Sequence, residues 1–343
     1  MIDVKISAFA GAMTFTGRGL DGGTGRPLEY LPVSLFGAVM GLSGLSVAWR
    51  LAAERYLAPY WVADAIGVAA VVAFVAMSIA YLIKLIAAPD AVRAELRHPI
   101  AGNLFGTAII SLLLLPIVIA PRALLVAQVM WAVGAVAMLG FAWLMIDRWM
   151  SDRQQVAHAT PAWIVPVVGV LDVPLALPDL GLPSLHGLMV ACVAIGLFFA
   201  VPLFTLILSR LLFEAPLPAA LHPTLLILVA PFAVGFSAYQ ATTGSVDLFA
   251  KALYALTLFM LAVLLGRLRD LVRTYPFRVS WWAVSFPLAA SAAAAIRFDN
   301  AKPGLVTDLV AAGLLMLASV VIGSLTLRTI VGLARGELRT LSS

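Results

Sequence analysis

Ten times along its length this chain runs for about 20 residues with almost no charge, as in "AIGVAAVVAFVAMSIAYLI" at 65–83. Few features restrict a fold more. Such a run is long enough to cross roughly 30 Å of hydrocarbon as a helix. Lipid offers no partner for backbone N–H and C=O groups, so each run must satisfy its own hydrogen bonds, which an α-helix does. The sequence is 63% hydrophobic and only 11% charged, well below the roughly one quarter charged residues of soluble domains. The fold class is therefore an all-α polytopic membrane protein.

The spans are expected at about 30–50, 61–87, 100–120, 122–146, 161–180, 186–211, 222–241, 246–266, 277–297 and 304–330. Residues 1–28 end in the Gly-rich "GRGLDGGTGRP" and read as a flexible cytoplasmic tail. Their apolar part, "ISAFAGAMTF", is too short to span and lacks the basic start of a cleaved signal. Residues 29–335 then form the ten-helix transmembrane pore domain, with a short cytoplasmic tail at 336–343. Loops are too short for a further soluble domain. With the N-terminus inside, the basic residues outside are Arg50, Arg55, Arg122, Lys251, Arg297 and Lys302, which leaves 16 of the 22 inside. That bias puts both termini in the cytoplasm and implies a multi-pass protein of the cell's inner (plasma) membrane. Basic residues flank spans rather than form one face, so nucleic acid is not an expected partner; membrane lipid is.

Prolines divide the spans into two sets. Pro116 falls in the third, Pro166 and Pro174 in the fifth, Pro231 in the seventh and Pro287 in the ninth, with Pro32 near the start of the first; among even spans Pro202 is the exception. A proline inside a helix removes a hydrogen bond and bends it. The freed carbonyl is better tolerated beside protein or a water-filled cavity than against lipid. The expectation is five helical hairpins around a central pore, odd helices inner and bent, even helices outer. The plainer alternative is that proline is simply commoner in membrane helices.

Five stretches, one per odd span, resemble a known family: "LPVSLFGAVMGLSGLSVAW" (31–49), "ELRHPIAGNLF" (95–105), "TPAWIVPVVGVLDVPLA" (160–176), "HPTLLILVAPFAVGFSAY" (222–239) and "PFRVSWWAVSFPLAA" (276–290). They are similar to the tellurite-resistance/dicarboxylate transporter family, which includes bacterial TehA and the plant slow-type anion channels. The resemblance implies a homotrimer with one pore per subunit and small anions as the transported partner. It also implies a pore gate made by the phenylalanine matching Phe286, with that matching Phe36 close by, and Pro287, Pro231, Pro174 and Pro116 as gate-supporting kinks. Two positions depart from the family pattern. Ala101 follows Ile100 where a basic residue is common, and Asp172 stands where a neutral residue is expected.

On the residues alone, Phe286 is either a gate or packing. Gly37, Gly41 and Gly44 either widen a pore or let another helix approach closely. Asp172 would cost about 2.5–3.5 kcal/mol facing lipid, so it faces the interior, as a satisfied structural carboxylate or as an ion-path or pH-sensing group. Asp64 and Asp247 fall near span ends and read as interfacial. His98 and His222 each precede a proline at a helix start, which suits a capping role. No catalytic residues, metal ligands or cofactor are expected: the four histidines lack ligand spacing, and no phosphate loop or nucleophile motif is present. Lone Cys192 reads as a buried thiol. The chain is therefore expected to be no enzyme. Two functions remain open: a channel-like pore passing small inorganic or carboxylate anions down their gradient, and a proton-coupled carrier of C4-dicarboxylate or tellurite-related anions.

Overall fold

The computed structural model describes residues 26–268 and 276–342. The tail expected at 1–28 lies outside the described residues except for its last three. Among the described residues, ten helices are long and apolar enough to cross a membrane: Val33–Tyr56, Tyr60–Ala87, Ala101–Ile119, Leu124–Ser151, Pro161–Leu180, His186–Phe213, Ala219–Thr243, Leu248–Arg267, Val279–Ala301 and Leu305–Ala334. They are called spans 1 to 10. Among the described residues there is no strand.

Each odd span packs against the even span that follows it, which gives five hairpins. The odd spans also touch one another in the order 1–3–5–7–9, and span 9 closes back on span 1. Burial follows this ring. Between 67% and 83% of each odd span's apolar stretch is buried, against 11% to 39% for the even spans. The even spans turn side chains such as Ile86, Trp143, Phe198 and Met316 outward, where lipid is the fitting solvent.

Helix type separates the two sets as well. Even spans 2, 4, 6, 8 and 10 run as continuous α-helix, and Pro202 sits inside span 6 without breaking it. Every odd span begins with a 3-10 stretch: Val33–Phe36, Ala101–Leu104, Pro161–Ile164, Ala219–Val229 and Val279–Val284. The prolines take different places in these segments. Pro231 lies in the first turn of the α segment that follows such a stretch, and so does Pro287. There each proline removes an N–H that could have bonded back into the 3-10 stretch, at the junction where the bonding pattern changes. Pro174 starts another 3-10 turn, and of the four only Pro116 lies well inside an α-helix. Pro231 and Pro287 thus mark the switch from 3-10 to α rather than the middle of a regular helix.

Carbonyls freed by these irregular stretches find donors on neighbouring spans. Trp131 Nε1 donates to the Val173 carbonyl at 2.9 Å, and Gln128 Nε2 to that of Leu180 at 3.0 Å. In span 9, Ser285 Oγ donates to the Trp282 carbonyl at 2.6 Å. The glycine stripe of span 1 serves close approach. A Cβ on Gly44 would stand 3.0 Å from Ala289 Cβ, and one on Gly41 would collide with the Ser285 side chain. Spans 1 and 9 therefore meet nearly backbone to backbone.

The segment between spans 2 and 3 ties down the start of the ring. Glu95 Oε1 accepts the Val33 N–H at 2.7 Å, while its Oε2 accepts from Lys84 Nζ at 2.7 Å and Tyr81 Oη at 2.9 Å. His98 Nδ1 accepts the N–H groups of Ile100 and Ala101 at 3.2 and 3.1 Å, capping the 3-10 start of span 3. Arg148 donates to the carbonyls of Leu96 and Arg97. At the other end, the tail expected at 336–343 folds back as a short helix, Leu338–Leu341, with Leu341 against Gly332.

Candidate functional site

All odd spans run in the same direction, so residue number along each one measures depth. The face where odd spans start is called the near face, and the other the far face. Among the described residues, a larger and a smaller cavity lie inside the ring. The larger, about 270 Å³, is lined by the early residues of all five odd spans, with Leu341 and Ser342 at its near edge. The smaller, about 30 Å³, is lined by later residues: Gly44 and Val47, Leu114 and Ile117, Leu175, Ser237, and Ala290, Ala293 and Arg297. Two side chains, Phe286 and Val234, line both. The ring of Phe286 thus stands in the wall between a near cavity and a far one. It is 8% exposed. Gly44 leaves it room, since a Cβ there would lie 3.3 Å from Phe286 Cδ2.

Phe36 does not share that position. It is buried outside both cavities, edge-on to Phe74 and Tyr81 with ring centres 6.2 Å from each. Its ring packs span 1 onto span 2, away from the wall in which Phe286 stands. The expected kink residues divide too: Pro287 lines the near cavity, whereas Pro231, Pro174 and Pro116 do not.

The near cavity is mostly apolar. Its polar atoms come from Ser34, Thr107, Thr224, Ser280, Ser342, Asp172 and, at the rim, Arg278. Asp172 is 2% exposed, and its Oδ1 has no hydrogen-bond partner among the described residues. A carboxylate facing a cavity without a cation or donor on it is costly to keep ionised. The far cavity has the opposite polarity. Arg297 lines it, and its Nε is shut off from solvent with no acceptor. Sequence reading placed Arg297 only as a basic residue on the outer side. Its spacing from Phe286 through Ala290 and Ala293, at steps of four, three and four, is the helical stripe that could have found it.

Around the far face several other ionisable groups hold one another. Asp299 accepts from Arg55 Nε at 2.9 Å, Tyr56 Oη at 3.0 Å and Thr307 Oγ1 at 2.6 Å, joining spans 1, 9 and 10. Asp64 pairs with Arg122 at 2.7 Å and Arg50 at 3.4 Å. The hydrogen bond to Asp64 holds the Arg122 guanidinium's pKa above its ordinary value. Asp247 caps span 8 through the Ala250 N–H at 2.9 Å, and that bond holds its carboxyl below the usual range. These are interfacial anchors.

Residues 30–330 match the SLAC1 family, described as voltage-dependent anion channels. The chain belongs to this family. Over 308 residues it is 28% identical to the S-type anion channel SLAH3 of Arabidopsis thaliana, covering 88% of this chain and 48% of that protein. It is 30% identical to SLAH2 of the same plant over 294 residues, covering 81% and 54%. It is 28% identical over 309 residues to a tellurite resistance protein TehA homologue of Haemophilus influenzae, covering 90% and 92%. The chain thus spans about half the length of the plant relatives and nearly all of the bacterial one. In this SLAC1-family chain, the five stretches that carry the resemblance are the odd spans and their 3-10 starts. The "ELRHP" segment serves them as an anchor, through Glu95 and His98.

Proposed function

We propose that this chain is an anion pore, passing small inorganic or carboxylate anions down their gradient, with Phe286 as its plug. One observation carries the reading: within a closed ring of five spans, Phe286 stands between two cavities that together reach toward both faces. A ring in that wall blocks by bulk and gives an ion nothing in exchange for its lost water. The family membership and the anion-channel names of SLAH2 and SLAH3 support the same conclusion. The pore lies in the cell's plasma (inner) membrane with the near face cytoplasmic, as the basic-residue bias implies. The outward apolar faces of the even spans suit both lipid and the contacts of a homotrimer with one pore per subunit.

A second reading has its own observation. Asp172 is a buried, unpartnered carboxyl on the near cavity, and a proton-coupled carrier of dicarboxylate or tellurite-type anions requires an ionisable group within the membrane. Flux in proteoliposomes separates the two. A pore follows the anion gradient and voltage with no pH gradient applied. A carrier needs the pH gradient, and absence of flux without one would replace the pore by the carrier.

A further inference from the structure

We infer that the far cavity is a binding site for one small monovalent inorganic anion, held by Arg297 and Ser237 on the far side of Phe286. The inference rests on the pore reading for its role, but not for its geometry.

Phe286, Ala290, Ala293 and Arg297 form one stripe of span 9, and all four line the far cavity. Along an α-helix Arg297 lies about 16 Å beyond Phe286 in backbone rise. Helical side chains lean toward the N-terminus, so the guanidinium reaches back over the two alanines toward the ring. The small methyl groups leave the space open beneath it.

Arg297 is chemically incomplete as it stands. The other far-face arginines have carboxylates: Arg50 and Arg122 share Asp64, and Arg55 has Asp299 and Asp308. Among the described residues Arg297 makes no hydrogen bond and has no carboxylate within 4.0 Å, although the charges of Asp179 and Glu54 are felt there. A cationic side chain whose Nε is shut off from solvent with no acceptor is unfavourable unless something compensates it. An anion in the cavity supplies that compensation, accepting from Arg297 in a charge-assisted bond. Ser237 Oγ lines the same space and now donates to the Ala233 carbonyl at 3.2 Å. That back-bond is weak, and the hydroxyl can rotate to donate to the ion.

Size names the ligand class. A cavity needs only about 10–15 Å³ of such volume to hold a water, and this one has about 30 Å³. Chloride or nitrate fits. A C4-dicarboxylate does not, and with one cation present a second negative charge would be left unpaired.

The test reads binding separately from flux. Purified wild type is melted in detergent at constant ionic strength, with chloride or nitrate replacing gluconate. The unfolding temperature should rise with chloride or nitrate in a saturable way. Arg297→Gln should weaken the apparent affinity by about tenfold or more, the scale of losing a charged donor. Arg297→Lys should restore part of it, and Ser237→Ala should weaken it by a smaller factor. If Arg297→Gln does not fold, the lysine and alanine variants carry the same comparison. Equal stabilisation in wild type and every variant overturns the site. Bilayer recording then separates the two proposals. If Phe286→Ala carries no anion current while binding still depends on Arg297, the pore reading fails and the site stands. If Phe286→Ala conducts, and current saturates with far-side chloride identically whether or not Arg297→Gln is added, the site fails and the pore stands.

Discussion

The two cavities differ in size and in charge. On the near side of Phe286 the ring is wide, holds about 270 Å³ and carries a carboxyl, Asp172. On the far side it narrows to about 30 Å³ and carries a guanidinium, Arg297. The same five helices build both, so the difference lies in helix type and residue size. The near cavity is lined by residues of the 3-10 starts together with the first α turns that follow them. The far cavity is enclosed by α segments rich in glycine and alanine, which let spans 1 and 9 nearly touch at Gly41, Gly44, Ser285 and Ala289. In the proposed pore, a wide vestibule is thus joined to a narrow passage whose size would select among anions, with one aromatic ring between.

Removing that ring should have the largest effect, because it erases the boundary itself. Phe286→Ala should raise anion current at least about tenfold, the factor that 1.4 kcal/mol of barrier represents, and Phe286→Leu by less because more bulk remains. Liposome flux at matched protein levels checks this; equal flux in wild type and Phe286→Ala would make the ring packing only. Asp172→Asn comes next. The carboxyl repels an anion in the near cavity only when it ionises, so the amide should remove that acid-dependent change and flatten the pH profile of flux in the Phe286→Ala background. An unchanged profile would leave Asp172 a structural group. Phe36→Ala should leave anion flux at the wild-type level and lower the melting temperature, since its ring packs on Phe74 and Tyr81. A rise in flux would return Phe36 to the gate.

The contrast between Phe286 and Phe36 also marks how far the sequence could be read. Runs of apolar residues showed where the ten spans lie, and the proline distribution showed which five turn inward. Neither depends on helix type. The direction of a single side chain does. An α-helix turns about 100° per residue and a 3-10 helix about 120°, so the four residues Val33–Phe36 displace any α-based wheel by about 80°. Phe286 follows the 3-10 stretch of span 9, in the first turn of regular α-helix, and its neighbour Pro287 marks that switch. Asp172 was legible as a buried group because charge inside an apolar run is conspicuous. Arg297 was not, because a count of basic residues by side of the membrane records where a charge lies along the chain and not which way it faces.

The smallest expected effect tests whether acid acts on the near side alone. His98 Nδ1 accepts the Ile100 and Ala101 N–H groups, which requires a neutral ring. Burial, then the nearby His158 and Arg148, hold its pKa below the ordinary histidine value of about 6.5. The unfolded chain therefore takes up a proton first as pH falls. This contribution to stability is complete above about 6.5 and is lost as pH falls from there through the folded value. Wild type should melt at a lower temperature at pH 5 than at pH 7. His98→Asn offers a cap oxygen that does not titrate, so its slope over the same interval should be shallower, by about 1 kcal/mol, the worth of one helix cap. The chloride-dependent stabilisation assigned to Arg297 should be the same in His98→Asn as in wild type, since His98 sits at the near face and the ion at the far one. Parallel pH slopes in the two proteins would show that the His98 cap does not set the acid sensitivity. A chloride response that changed with His98→Asn would show that the two ends of the ring are coupled across Phe286 and not independent.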